Sequence, residues 1–135
     1  MNKNLELQKI VINSVNNIVY LKQNNISSFA SIPAKTKKNY IKIAGISLNQ
    51  QTEICKKQTF TIDLYVFTEG QNNRQIMEIM ENLYNNLQNE IYNYITINDN
   101  TFINLYNVYG GNYTINENLQ NKSWEGHFYI NIDIF

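Results

Sequence analysis

Apolar positions in this chain repeat with two different periods. Near the start, Leu7, Ile10, Val11, Ser14, Val15, Ile18 and Val19 recur at spacings of three and four. That spacing puts them on one stripe and predicts an amphipathic helix over 4–22. Asn24 and Asn25 follow, the residue type that tolerates left-handed backbone and stops helices. Residues 26–39 read as an irregular connection holding the only proline, Pro33. Proline there argues against a central strand. From Tyr40 to Ile46 the period changes to two, with Ile41 and Ile43 against Lys42 and Ala44, and Gly45 marks a bend or bulge. Residues 53–67 carry the strongest alternation, Phe60, Ile62, Leu64 and Val66 against Thr59, Thr61, Asp63 and Tyr65. One side of that strand suits a core and the other suits solvent, as in a sheet covered on one face only.

Thr68-Glu69-Gly70 breaks the alternation, and Asn72 with Gln75 has the form of a capping box. A second helix follows with the stripe Ile76, Ile79, Met80, Leu83, Tyr84, Leu87 and Ile91, while Glu78, Glu81, Asn82, Asn85 and Asn89 face away. Residues 94–97 read as a brief extension and Asn98-Asp99-Asn100 as a turn. A strand over 101–109 puts Ile103 and Leu105 on one face and Phe102, Tyr106 and Val108 on the other, with Gly110-Gly111 as its end. After a polar loop through Asn121, a last strand over 123–135 alternates Phe128, Ile130, Ile132 and Ile134 with His127, Tyr129, Asn131 and Asp133. The order predicts one α+β domain over 1–135: a mostly antiparallel twisted sheet of about four or five strands with two helices packed on one face. The other sheet face, with Tyr65, Phe67, Tyr129 and Tyr106, is apolar enough to want a partner.

Composition narrows the function classes. The chain is 43% hydrophobic and 16% charged, which sets it apart from disordered sequences. Its formal net charge is zero, whereas a duplex-binding surface needs clustered cations to displace counterions from phosphates. The single cysteine, Cys55, excludes an intramolecular disulfide and fits a reducing compartment. Asn13, Asn16 and Asn17 interrupt any signal-peptide core, and no apolar run approaches the roughly 20 residues that span a bilayer. A soluble intracellular protein is the expectation.

Candidate chemistry is sparse. The only histidine, His127, falls by alternation on the polar face of its strand with Tyr129 and Asp133. Cys55 and His127 contain the two atoms of a thiol–imidazole dyad, but neither lies in a nucleophile motif. One His and one Cys do not make a zinc site, and Asn98-Asp99-Asn100 lacks the glycine and distal glutamate of a calcium loop. Gly110-Gly111 is too short for a phosphate cradle and does not precede a helix. Lys35, Lys37, Lys38 and Lys42 form the one basic cluster, suited to guarding a sheet edge or touching an acidic surface. The many tyrosines lack the interleaved cations of a single-strand stacking platform and suit protein interfaces instead.

The run Gln58-Thr59-Phe60-Thr61-Ile62-Asp63-Leu64-Tyr65-Val66-Phe67-Thr68, leading through Gly70 into the helix Gln75 to Leu87, resembles the strand-turn-helix centre of a minor tail protein family. That family includes the tail-completion or tail-terminator proteins of long-tailed bacteriophages and gene transfer agents. The opening helix, the Tyr40 to Ile46 strand and the closing Gly126-His127-Phe128-Tyr129-Ile130 strand stand in the expected order. The resemblance spans nearly the whole chain, although the family's proline just before the first strand is replaced here by Asn39, with Pro33 earlier. It implies a non-enzymatic ring subunit, usually of six copies, that caps the tail tube at its head-proximal end and joins it to the head. Implied partners are copies of itself, the tail-tube protein and a head-to-tail connector, with DNA passing only through the ring lumen. Implied locations are the host cytoplasm during assembly and then the finished particle. The family brings no catalytic residue, cofactor or metal. The contact surface expected here is Tyr65 and Phe67 on the long strand, with the Lys35, Lys37 and Lys38 loop against an acidic neighbour. A neck connector is the alternative close in role. A small-molecule-binding domain or enzyme using His127 and Cys55 is the alternative of another class.

Overall fold

The computed structural model describes residues 3–30, 39–51, 57–70, 72–97 and 104–135, with the side chains of 49–51 and 106 not described. In chain order the elements are helix α1 (Lys3–Asn16), helix α2 (Val19–Gln23), strand β1 (Ser28–Phe29), strand β2 (Tyr40–Gln51), strand β3 (Gln58–Glu69), helix α3 (Arg74–Ile97), strand β4 (Leu105–Asn118) and strand β5 (Ser123–Ile134). The strands form one sheet in the order β1-β2-β3-β5-β4. All pairings are antiparallel except β1 on β2. The α+β, mostly antiparallel expectation is therefore met, with a mixed edge and a third, short helix added.

The core lies between the sheet and α1 and α3. Leu7, Ile10, Val11 and Val15 from α1 and Ile76, Ile79, Leu83, Leu87 and Ile91 from α3 are buried against Ile62, Leu64, Phe128, Ile130 and Ile132 of the sheet. Each of these side chains contributes roughly 1.5–3 kcal/mol by leaving water. Alternation along β3 and β5 sends every second residue to this layer, and among the described residues no helix covers the other sheet face.

The first helix is not continuous over 4–22. It ends in a tighter turn, where Asn17 N donates to Ser14 O and Ile18 N to Val15 O. Ile18 is extended (φ −67°, ψ 123°) before α2 begins. Asn16 explains the break, because its Oδ1 accepts from both N and Oγ of Ser28 and so ties the helix end to β1. The kink rotates the stripe, so Leu21 is buried and Val19 is 63% exposed. Asn25 takes the left-handed conformation (φ 55°) that its place after the helix calls for.

β1 was hidden in the expected irregular connection, since two residues are too few to show a period. Pro33 lies outside the described residues. The bend expected at Gly45 is a register shift between Ile43 and Gly45, but β2 runs on past Ile46 with a second shift between Leu48 and Gln50.

The capping box expected at Asn72 and Gln75 does not form. Asn72 Oδ1 accepts from Arg74 N at 2.8 Å, Asn73 supplies the first helical carbonyl to Met77 N, and Gln75 Nε2 instead donates to Tyr20 OH. α3 also continues through 94–97 in place of the expected extension, because Tyr92 and Ile95 keep packing on the core after Ile91. Tyr84, placed on the buried stripe from sequence, is 58% exposed.

β4 departs most from its periodicity. A register shift between Leu105 and Asn107 brings both Leu105 and Val108 to the core side, where alternation had separated them. Gly110-Gly111 does not end the strand; it forms a second shift between Tyr109 and Asn112, and β4 continues to Asn118. Gly110 has φ 73°, the left-handed residue of a glycine bulge. The turn from Asn98 to Asn100 and the Phe102 and Ile103 positions lie outside the described residues.

Candidate interaction surface on the open sheet face

The sheet registers arrange the uncovered face in rows. Tyr40, Phe67 and Glu125 stand side by side across β2, β3 and β5; Lys42, Tyr65, His127 and Thr114 form the next row; Gly45, Asp63, Tyr129 and Asn112 form the third. Within the first row the Tyr40 and Phe67 rings stack with centroids 5.2 Å apart. The His127 ring on β5 lies 4.9 Å from Tyr65 across on β3 and 5.5 Å from Tyr129 on its own strand, centroid to centroid. Cross-strand aromatic contacts of this kind contribute roughly 0.5–1.5 kcal/mol each. They also fix the ring orientations. Tyr65 remains 52% exposed at the centre of the cluster.

A groove of about 370 Å³ opens here, lined by Tyr40, Lys42, Tyr65, Val66, Phe67 and Glu125. Its walls are aromatic, and it carries a cation on the β2 side and a carboxylate on the β5 side. Aromatic area framed by opposite charges suits a protein contact, where rings bury surface and charges set orientation.

His127 Nε2 lies 2.8 Å from Asp63 Oδ1. The pair is diagonal across β3 and β5, since Asp63 sits opposite Tyr129 and His127 opposite Tyr65. A carboxylate on one ring nitrogen orients an imidazole, which is one part of a base-and-orienter arrangement. The nucleophile weighed for it, Cys55, lies outside the described residues.

Lower on the same face the polar groups satisfy one another. Asp133, 4% exposed, accepts from Thr59 Oγ1 at 2.6 Å and Tyr109 OH at 3.2 Å. Thr61 Oγ1 donates to Asn131 Oδ1 at 2.7 Å, and Asn112 Nδ2 donates to Tyr129 OH at 2.8 Å. The two bonds to Asp133 both fall on Oδ1 and satisfy that oxygen of a carboxylate that sits under the sheet surface. They occupy the groups that would otherwise read as a polar site.

A second, polar cleft of about 470 Å³ lies where α2 meets the start of α3, lined in part by Tyr20, Asn39, Glu69, Arg74 and Glu78. Tyr20 OH donates to Glu78 Oε2 at 2.6 Å and accepts from Gln75 Nε2 at 3.0 Å, while Arg74 Nε reaches Glu78 Oε1 at 3.0 Å. Burial, then the Glu78 hydrogen bond and charge, push the Tyr20 phenol up to about 12. The Tyr20 hydrogen bond, then Arg74, hold the Glu78 carboxyl below its ordinary value. This network locks α2 to α3.

Of the residues singled out from sequence, Tyr65, Phe67, Tyr129 and His127 share the open face. Lys35, Lys37 and Lys38 lie outside the described residues. Lys42, grouped with them by sequence, stands beside Tyr65. Tyr40 and Glu125 were missed as members of the groove, although alternation with Ile41 and with Gly126 already put them on this face. The Asp63–His127 bond needed the β3–β5 register, which no local pattern encodes. Among the described residues, no three His, Cys, Asp or Glu side chains converge as metal ligands, and no helix is long and apolar enough to cross a membrane. In comparisons with known proteins, the chain matches no protein-family model and no curated sequence.

Proposed function

We infer that this chain is a non-enzymatic structural subunit of a phage-like particle, a tail-terminator protein that forms a ring on the head-proximal end of the tail tube and joins it to the head. The observation that carries this reading is the one-sided sheet, whose free face presents Tyr40, Lys42, Tyr65, Phe67 and Glu125 around a groove. Helices bury one side, and the aromatic side is left for a neighbour. The strand-turn-helix centre, β3 through Gly70 into α3, has the form that prompted the resemblance. In this reading the partners are copies of itself, usually six in the ring, the tail-tube protein and the connector, with DNA only in the lumen. The chain would reside in the host cytoplasm and then in the particle.

Electron microscopy of assembled particles tests the reading. A ring of this chain between tube and head supports it, density within the neck assigns the connector role instead, and particles that never contain the chain overturn both.

One observation favours a reading of another class. The Asp63–His127 hydrogen bond positions an imidazole on an open surface, as a binding or hydrolytic site requires. Unchanged function in a His127→Ala, Cys55→Ser double variant disposes of it.

A further inference from the structure

We propose that the outer edge of β4 is a self-association edge, pairing antiparallel with the same edge of a second copy about a twofold axis at Ile115. This edge lies apart from the open-face groove of Tyr40, Tyr65 and Phe67. β4 is the last strand of the sheet, and among the described residues no strand pairs with its outer side. Natural edges are guarded by lysine, proline or bulges. Between Leu105 and Asn118 there is no lysine and no proline. The bulges guard only the first half: Val108 N donates to Tyr92 OH, and the second register shift ends at Asn112. From there to Asn118 the strand is regular.

The direction of the free groups follows from the ladder. Gly70 N bonds Lys122 O, so even-numbered residues of β5 bond β3 and odd-numbered ones bond β4. Asn112, Thr114, Asn116 and Asn118 face those odd-numbered residues. Tyr113, Ile115 and Glu117 therefore direct N–H and C=O away from the sheet. Tyr113 N agrees, since it donates to Asn112 Oδ1 rather than to β5.

Three outward residues spaced by two, with isoleucine in the middle, are self-complementary. A twofold axis at Ile115 sets Ile115 against the second copy's Ile115 and Tyr113 against its Glu117, with Tyr113 N exchanging Asn112 Oδ1 for the second copy's Glu117 carbonyl. Glu117 is the only charge between Asn112 and Asn118, so no like charges oppose each other. On the other face, Thr114 lies opposite Asn116 of the second copy. The flank is apolar as well: Tyr84 packs edge-on to Tyr113 with centroids 6.1 Å apart, and Tyr84 and Met77, seven residues apart on α3, are 58% and 51% exposed. The second copy's Ile115 would extend that surface.

Sedimentation equilibrium on the full chain, from about 10 μM to 1 mM, tests this, because an interface of one strand pair is small and weak. A concentration-dependent dimer is expected. Glu117→Pro removes an outward N–H that the fold does not use, and should weaken dimerisation about tenfold or more. Thr114→Lys with Asn116→Lys sets lysines opposite one another only in the dimer and should act likewise, both side chains being exposed in the monomer. Tyr65→Ser with Phe67→Ser should leave the dimer intact. A monomer at every concentration overturns the proposal. So does any oligomer that both edge variants leave unchanged while their circular dichroism matches the parent.

Discussion

Asp63 on β3 and His127 on β5 are joined by a 2.8 Å hydrogen bond between Oδ1 and Nε2, diagonally across the open sheet face between Tyr65 and Tyr129. Their side chains are 32% and 34% exposed, so the bond sits in partly wetted surroundings. It orients the imidazole within an aromatic cluster more than it holds the fold together. We expect Asp63→Asn and His127→Ala each to cost less than about 1 kcal/mol in chemical denaturation. A larger loss would make the pair a structural anchor.

Gly126 is needed for space. A Cβ there would stand 2.7 Å from Met80 Sδ and 3.1 Å from its Cε, at the point where α3 crosses β5. Gly126→Ala should destabilise by about 1–3 kcal/mol through overpacking. Adding Met80→Ala to the same chain should recover part of the Gly126→Ala penalty, a non-additivity that a double-mutant cycle measures.

Tyr20 gives the fold an alkaline signature. Its folded pKa, about 12, lies above the ordinary 10.0. The protonated phenol is thus favoured by folding, and its contribution is complete below pH 10 and is lost as pH rises from there towards 12. Tyrosinate absorbance should show a late-titrating group that Tyr20→Phe removes. Glu78 works in the opposite sense, its lowered pKa giving a contribution present above the ordinary carboxyl range and lost as acid protonates it.

Under the proposed ring role, the outer-face aromatics should separate stability from assembly. Tyr65 is half exposed, and Phe67 stacks on Tyr40 at the surface rather than in the helix-covered core. Tyr65→Ser with Phe67→Ser should lower stability by only about 1–2 kcal/mol while abolishing incorporation into particles, read by complementation of a strain lacking the chain. Normal incorporation of a folded variant would move the particle contact off this face.

Period alone made the central elements legible. Phe60, Ile62, Leu64 and Val66 in β3, Phe128, Ile130, Ile132 and Ile134 in β5, and Ile76, Ile79, Met80, Leu83, Leu87 and Ile91 in α3 fall on the core side as their spacing dictates, whereas Tyr84 of the same expected stripe is exposed. What the pattern could not show is where a strand gains a residue. The shifts at Leu105/Asn107 and Tyr109/Asn112 reset the alternation of β4, so Val108 and Leu105 changed relative sides and Gly110-Gly111 read as an end. Likewise, Asn16 breaks α1 through its contact with Ser28, twelve residues on, which no helical period contains. The open face was legible in Tyr65, Phe67, Tyr129 and His127. Its groove was not, because Tyr40 and Glu125 join Phe67 only through two strand registers.

The most direct test of the assembly role is electron microscopy of particles produced without this chain. A tail terminator predicts tubes of unregulated length that stay separate from filled heads. Tails of normal length joined to heads would contradict the account.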